Sequence, residues 1–205
     1  TTIADCAALQ HDTFSQLALD MVALLGDVPS DVADAAALLH RWDGHVRDDS
    51  AAAALYEVWW SRLERALHAL LIPADLHDLL PGPINATVQK TLLHTPDARF
   101  GADPDRARDA MLVEALRGAK AELRERLGPV MAAWRWGTLH TITLDHPLAH
   151  APGVAAQFPK LGGARTGTGG DSYTVMARWY NPLSKGHDPY VATGGASYLM
   201  VCDVG

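Results

Sequence analysis

Apolar residues recur every three or four positions through roughly the first 130 residues and then switch to alternation, which predicts a helical part followed by a strand-and-loop part. Ile3, Ala7, Phe14, Leu17, Met21 and Leu24 fall near one helical face. With Thr2 as cap and Gly26 as stop, they predict a first helix. Ser30 is the expected cap of a second helix, whose Ala35, Leu38 and Leu39 run into Trp42-Asp43-Gly44. A longer third helix is predicted from Asp49 or Ser50 to about Leu71, ahead of Pro73, with Leu55, Val58, Trp59, Leu63, Leu67 and Leu70 as its apolar positions. A short helix is expected over Asn85 to Leu93. The strongest signal is Asp103-Pro104, where Asp caps and Pro suits the first turn of a helix that Gly128-Pro129 ends.

Beyond residue 133, His140, Ile142 and Leu144 alternate with Thr141 and Thr143, and Tyr173, Val175, Ala177 and Trp179 alternate with Thr174, Met176 and Arg178. Both read as strands, with Ser197 to Asp203 as a third. Gly162, Gly163, Gly167, Gly169 and Gly170 between the first two predict a flexible loop. The expected fold class is α+β, with a helical subdomain over 1–133 and a β-strand and Gly-rich loop region over 134–205. A last strand carrying Val201, Cys202 and Val204 with nothing after it to pair with is an exposed edge, which predicts a chain cut from a larger protein.

Composition changes this picture little. Hydrophobic residues make up 48% and charged residues 20% of the 205, the balance of a soluble globular chain. The net charge of −7 sits wholly in residues 1–50, where nine acids face Arg41 and Arg47; the rest is neutral. No basic patch exists, which argues against a nucleic-acid partner. The uncharged stretches 146–159 and 189–202 are too short, and too rich in Pro or Gly, to span a bilayer. Cys6 and Cys202 can pair only if the two ends of the chain meet.

The candidate chemistry is sparse. His140, His146 and His150 with Asp145 form the densest group of metal-ligand types, although Pro147 disturbs the helix that would align them; structural or solvated histidines are the competing reading. Gly162 to Gly167 has the opening spacing of a phosphate-binding loop, but Thr168 stands where lysine is needed. A Ser–His–Asp triad lacks the strained serine turn that marks one, and Gly195-Ala196-Ser197 leads into the predicted strand. Cys6 and Cys202 read as inert thiols. Thr1 at a free amine is a minimal nucleophile with its own base, but the helix entry behind it favours the plain reading. Trp42, Trp59 and Trp60 are expected to hold the second and third helices together, with a substrate pocket as the alternative.

Several phrases, taken together and in order, resemble the penicillin acylase (penicillin amidase) family. They are Gln10-His11-Asp12-Thr13-Phe14-Ser15, Leu38-Leu39-His40-Arg41-Trp42-Asp43-Gly44 with Ala53 to Trp59, Trp136-Gly137-Thr138-Leu139-His140 with His146-Pro147-Leu148, Gly169-Gly170-Asp171-Ser172-Tyr173-Thr174-Val175, and Ala196-Ser197-Tyr198. Leu199 departs from the arginine usual in the last of these. The resemblance implies an αββα N-terminal nucleophile hydrolase, in which a β-subunit serine with its own α-amine as base cleaves a linear amide through an acyl-enzyme. An asparagine and backbone N–H groups would form the oxyanion hole.

Neither the nucleophile, the oxyanion asparagine nor the calcium-binding acids of the family match any position here. The sequence reading therefore assigns no catalytic, cofactor-binding or metal residue and places the chain in the middle-to-late part of an acylase. The same resemblance implies calcium in the intact parent, an exported and often periplasmic location, the remaining parts of the acylase as partners, and an N-acylated small molecule as substrate. Self-association of the fragment follows from the apolar surface that lost partner strands would leave. Two other readings stay open: an autonomous enzyme with Thr1 as nucleophile, and a non-enzymatic interaction module.

Overall fold

The computed structural model describes residues 2–151, 153–196 and 199–202. Its helices are α1 (Ile3–Leu9), α2 (Gln16–Val22), α3 (Ala33–His40), α4 (Ala51–Leu71), α5 (Ala86–His94), α6 (Pro104–Leu127) and the one-turn helices α7 (Trp136–Leu139) and α8 (Val154–Gln157). The short strands β1 (Thr141–Thr143), β2 (Arg165–Gly167), β3 (Arg178–Trp179) and β4 (Gly194–Gly195) form two antiparallel pairs, β1 with β2 and β3 with β4. The architecture is mixed, helical with small antiparallel sheets.

The long helices start and stop where side-chain chemistry dictates. Ser50 accepts the Ala53 N–H to cap α4, Asn85 accepts the Thr87 N–H to cap α5, and Asp103 accepts the Arg106 N–H to cap α6 ahead of Pro104. Gly128, at φ 96°, ends α6. α4 is the centre of the molecule. Its Leu55, Val58, Trp59, Leu63 and Leu67 are fully buried, and Trp59 donates its indole N–H to the Leu112 carbonyl of α6 (3.0 Å). Trp42 leans on Tyr56 of α4 (5.2 Å between rings) and donates to the His45 carbonyl. Trp42 thus joins the end of α3 to α4 as expected, whereas Trp59 ties α4 to α6.

The sequence reading needs correction at several places. The first predicted helix is two: Asp12 Oδ1 takes the Phe14 N–H, Phe14 bridges to His45, and the buried Ser15 caps a new helix through the Ala18 N–H. At α3 the cap position is Val32, which has no side-chain bond to give, and Ser30 lies outside the helix. The Gly-rich stretch is not a free loop, because Arg165–Gly167 pairs with β1. Of the strand predicted over Tyr173 to Trp179 only Arg178–Trp179 is extended and paired; the Asp171 side chain bends the preceding residues into a turn by accepting the Tyr173 N–H (2.6 Å). In the β1 region Leu144 is 77% exposed, so the alternation does not carry on inward. Ser197, Tyr198, Asp203 and Val204 of the third predicted strand lie outside the described residues, and Leu199 to Cys202 form no strand.

The apolar core runs from the helices into the strand-and-loop part. Trp134, Trp136, Tyr180 and Tyr190 belong to the same buried cluster as α2, α3, α4 and α6. Trp136 stacks on His140 (4.6 Å, 9° between planes) and meets Tyr180 and Tyr190 edge-on at 5.7 and 6.1 Å. Among the described residues no helix is long and apolar enough to cross a membrane.

Candidate functional site

Four buried polar groups are gathered on one face of α4. Glu57, Ser61, Glu64 and His68 recur at helical spacing, and all four are buried. The loop 168–176 folds across this face and brings Asp171, which is 2% exposed. Tyr180 follows from the end of β3: its hydroxyl donates to Glu57 Oε2 (2.6 Å) and lies 3.2 Å from Ser61 Oγ. From α5, Gln89 donates to Glu64 Oε1 (3.2 Å), and Tyr173 reaches the same oxygen at 3.5 Å. The result is a buried acidic cluster roofed by tyrosines.

The loop is held by its backbone. The Gly170 N–H donates to the Val46 carbonyl (2.7 Å), and the Gly170 carbonyl accepts from the Trp136 indole (3.2 Å). The Met176 N–H donates to the Asp12 carbonyl (2.8 Å). The residues read as separate motifs along the chain, around Asp12, Trp136 and Gly170, therefore converge here.

Burial governs the electrostatics. It pushes the Glu57 carboxyl well above the usual carboxylate range, with the nearby Asp171 charge adding to the effect, and pushes the Asp171 carboxyl up as well. Glu64 is pushed up to about 7, again by burial, with the Gln89 amide opposing. Burial also drives the Tyr56 and Tyr180 hydroxyls far above their ordinary range. His140, shielded by Trp136, falls to about 4, so it is a neutral ring at pH 7. It lies 2.7 Å from the Tyr190 carbonyl through Nδ1, which therefore carries the proton.

A second feature is a cleft of about 1000 Å³ between the two hairpins. Ile142 and Leu144 line one side, Arg178 and the half-exposed Trp179 the other, and Gly167 and Gly194 leave bare backbone between them. The Trp179 indole lies directly over Gly194, where a Cβ would stand 2.2 Å from its nitrogen.

The structure separates the residues of the metal reading. His140 is locked in the aromatic core, His150 sits 3.3 Å from Asp145 on the surface, and His146 accepts the Leu148 N–H. Among the described residues no group of three or more His, Cys, Asp or Glu is arranged to hold a metal. The phosphate-loop reading fails on its N–H groups. Gly163 donates to Asp145, Thr168 to the His140 carbonyl and Gly170 to Val46, so an anion finds an acid and spent donors. For the triad reading, Ser184 lies 3.0 Å from His187 Nδ1, but Ser184 is half-buried and His187 exposed in one turn, and among the described residues no carboxylate pairs with that imidazole. Cys6 is half-buried and Cys202 exposed; Gln10, one turn past Cys6, donates to the Met200 carbonyl (2.9 Å), so the two ends of the chain do approach. Thr1 lies outside the described residues, while Thr2 and Asp5 form a reciprocal cap on α1. Trp59 has no exposed surface with which to line a substrate pocket.

The sequence reading passed over the acidic cluster. Its signal was the polar stripe Glu57, Ser61, Glu64 and His68, set apart on α4 from the charged Arg62 and Arg65.

Compared with known families, the chain matches the model described as penicillin amidase over residues 1–205. No curated protein aligns with it at a significant level.

Proposed function

We propose, from the premise that this chain belongs to the penicillin amidase family, that it is the structural part of an acylase that hydrolyses the linear amide of an N-acylated small molecule. The substrate class is a β-lactam side chain or an N-acyl-homoserine lactone. The reaction runs through an acyl-enzyme formed on an N-terminal nucleophile that other segments of the acylase supply, within an αββα hydrolase fold. Those segments are this chain's partners, calcium belongs to them rather than to any residue here, and the assembled enzyme works outside the cytoplasm, in the periplasm where there is one.

The observation that carries this reading is the family match from the first residue to the last. The inventory of the described residues supports it. The buried acids Glu57 and Glu64 are engaged with tyrosines, and the Ser184–His187 contact is exposed and lacks an orienting acid. The residues shared with the family serve instead to fasten a loop to a helix and to shape one wall of a cleft.

Hydrolysis of a chromogenic phenylacetyl amide and of a long-chain acyl amide tests it, using the purified chain and the same chain joined to the rest of its acylase. The expected outcome is a folded circular-dichroism spectrum with no acyl release from the chain alone, and release from the joined enzyme. The faster of the two substrates then identifies the acyl class. Acyl release by the chain alone that disappears in Thr1→Ala overturns the proposal and makes Thr1 the nucleophile.

A further inference from the structure

Glu57 and Asp171 face each other across the joint between α4 and the loop 168–176, and each is almost wholly buried, at 1% and 2% exposure. Glu57 Oε2 is occupied by the Tyr180 hydroxyl. Glu57 Oε1 is buried and meets no N–H or hydroxyl donor, and Glu57 and Asp171 line the same small cavity. Asp171 in turn accepts the Tyr173 N–H and is flanked by Thr174, whose hydroxyl accepts the Asp171 N–H.

The other groups around the pair carry no positive charge. α4 presents Tyr56, Ser61 and Glu64, the loop presents Tyr173 and Thr174, the residue after β3 is Tyr180, and α5 contributes Gln89 by way of Glu64. Arg178 of β3 meets Asp171 through its backbone N–H, which donates to the Asp171 backbone carbonyl (2.8 Å). Its Nη1 turns away to the Ala177 carbonyl. Among the described residues neither Glu57 nor Asp171 enters an ion pair. Two carboxyls buried against one cavity in such surroundings do not both ionise, since the mutual repulsion and the lost hydration have nothing to offset them.

We propose that Glu57 and Asp171 share one proton, and that this proton is the latch that holds the loop 168–176 on α4 at neutral pH and frees it in alkali. The proton resides on Glu57 Oε1 and is donated to the Asp171 carboxylate, which is the better-supported anion because backbone N–H groups already point at it. In alkali, hydroxide takes that proton as water and leaves two facing carboxylates. A cavity of about 20 Å³, large enough for one water molecule, lies beside the pair between Trp60, Tyr173 and Pro83 and gives hydroxide its approach. Loss of the latch sets repulsion against the remaining fastenings of the loop, at Val46, Trp136 and Asp12. The latch is independent of the amidase reading, and its failure leaves that reading untouched.

Hydrogen exchange of the intact chain, followed by mass spectrometry between pH 6 and 10 and corrected for the intrinsic base dependence, tests the latch. In the Glu64→Gln background, which removes the neighbouring titration, protection of residues 168–176 is expected to fall by up to about tenfold per pH unit above the release point, while that of α6 stays level. Glu57→Gln in the same background keeps a donor toward Asp171 with no proton to lose, so its loop protection is expected to stay level through pH 10. Identical profiles with and without Glu57→Gln, or a loop whose protection never changes, overturn the proposal. If Glu57→Gln does not fold, infrared spectroscopy of the Glu64→Gln protein at pH 8.5 decides. A protonated carboxyl stretch that shifts in deuterium oxide supports the shared proton, and its absence overturns it.

Discussion

Gly170 shows how much one missing Cβ matters in this molecule. Its φ is +80°, and a Cβ there would stand 2.1 Å from the Met176 carbonyl oxygen. Gly128 is equally left-handed, at +96°, but opens on empty space. Gly128→Ala should therefore cost only the conformational penalty, about 1 kcal/mol. Gly170→Ala must also displace the turn, for a total of at least about 3 kcal/mol. Urea unfolding midpoints separate the two, and equal costs refute the steric account. Trp59 offers a second test. Trp59→Phe loses the bond to Leu112 and part of the packed area, expected at about 2 kcal/mol, and Trp59→Ala at about 3–5 kcal/mol, read from the same curves. The weight of Trp42 and Trp59 was legible in the sequence because large aromatic residues on an apolar face have few other places to go. That Glu57 of the polar stripe is buried was not, because a carboxyl reads as solvated until the segment that covers it, more than a hundred residues further on, is seen in place.

Among the elements, those that declare their own ends were read correctly. α4, α5 and α6 begin at Ser50, Asn85 and Asp103, as their sequences imply, because a capping side chain acts on a backbone N–H two or three residues away and needs no tertiary partner. Elements whose limits are set by distant contacts were misread. α1 and α2 look like one helix until His45 pairs with Phe14, and residues 173–177 look like strand until Asp171 folds them into a turn. β2 hides in a run of glycines because Gly167 lies against the backbone of Gly137, where a Cβ would sit 2.6 Å from its carbonyl. Caps of the two kinds should also differ in cost. Ser50→Ala frays an end of α4 that its packing holds in place, for about 1 kcal/mol. Ser15→Ala leaves the Ala18 N–H unpaired at a fully buried site and is expected to cost more, about 2 kcal/mol, by thermal denaturation.

For the whole molecule, the buried acids dominate the response to pH. Glu64 titrates at about 7 when folded against an ordinary 4.5, so the folded state holds its proton more tightly. The resulting stability is fully present below 4.5 and is lost as pH rises through 7; 2.5 units correspond to about 3 kcal/mol. Glu57 and Asp171, also raised, act in the same direction. His140 opposes them. Its folded value of about 4 lies below the ordinary 6.5, so it withdraws stability as pH falls through that window. Surface acids such as Asp20 and Asp31, held low by Lys90 and Arg117, add losses only at still lower pH. The melting temperature should therefore climb from pH 9 to about 6.5 and climb more slowly below it, where His140 opposes the acids. Glu64→Gln should shallow the climb between pH 7 and 5, and a profile unchanged by that variant refutes the assignment. Exposed pairs such as Arg47–Asp43 and Lys185–Asp78 contribute little, so 0.5 M salt, an addition of about that size, should move the melting temperature by no more than a degree or two.

The span between Glu57 and Tyr180, 123 residues of chain, also has a meaning in time. At a synthesis rate of about 5–20 residues per second, the ribosome adds Glu57 some 6–25 s before it makes the tyrosine that covers its carboxyl. Through that interval the nascent helix displays a wet, charged stripe rather than a sticky one. The acids that are hardest to bury in the finished protein are thus the groups that stay hydrated longest while the cover is still being made.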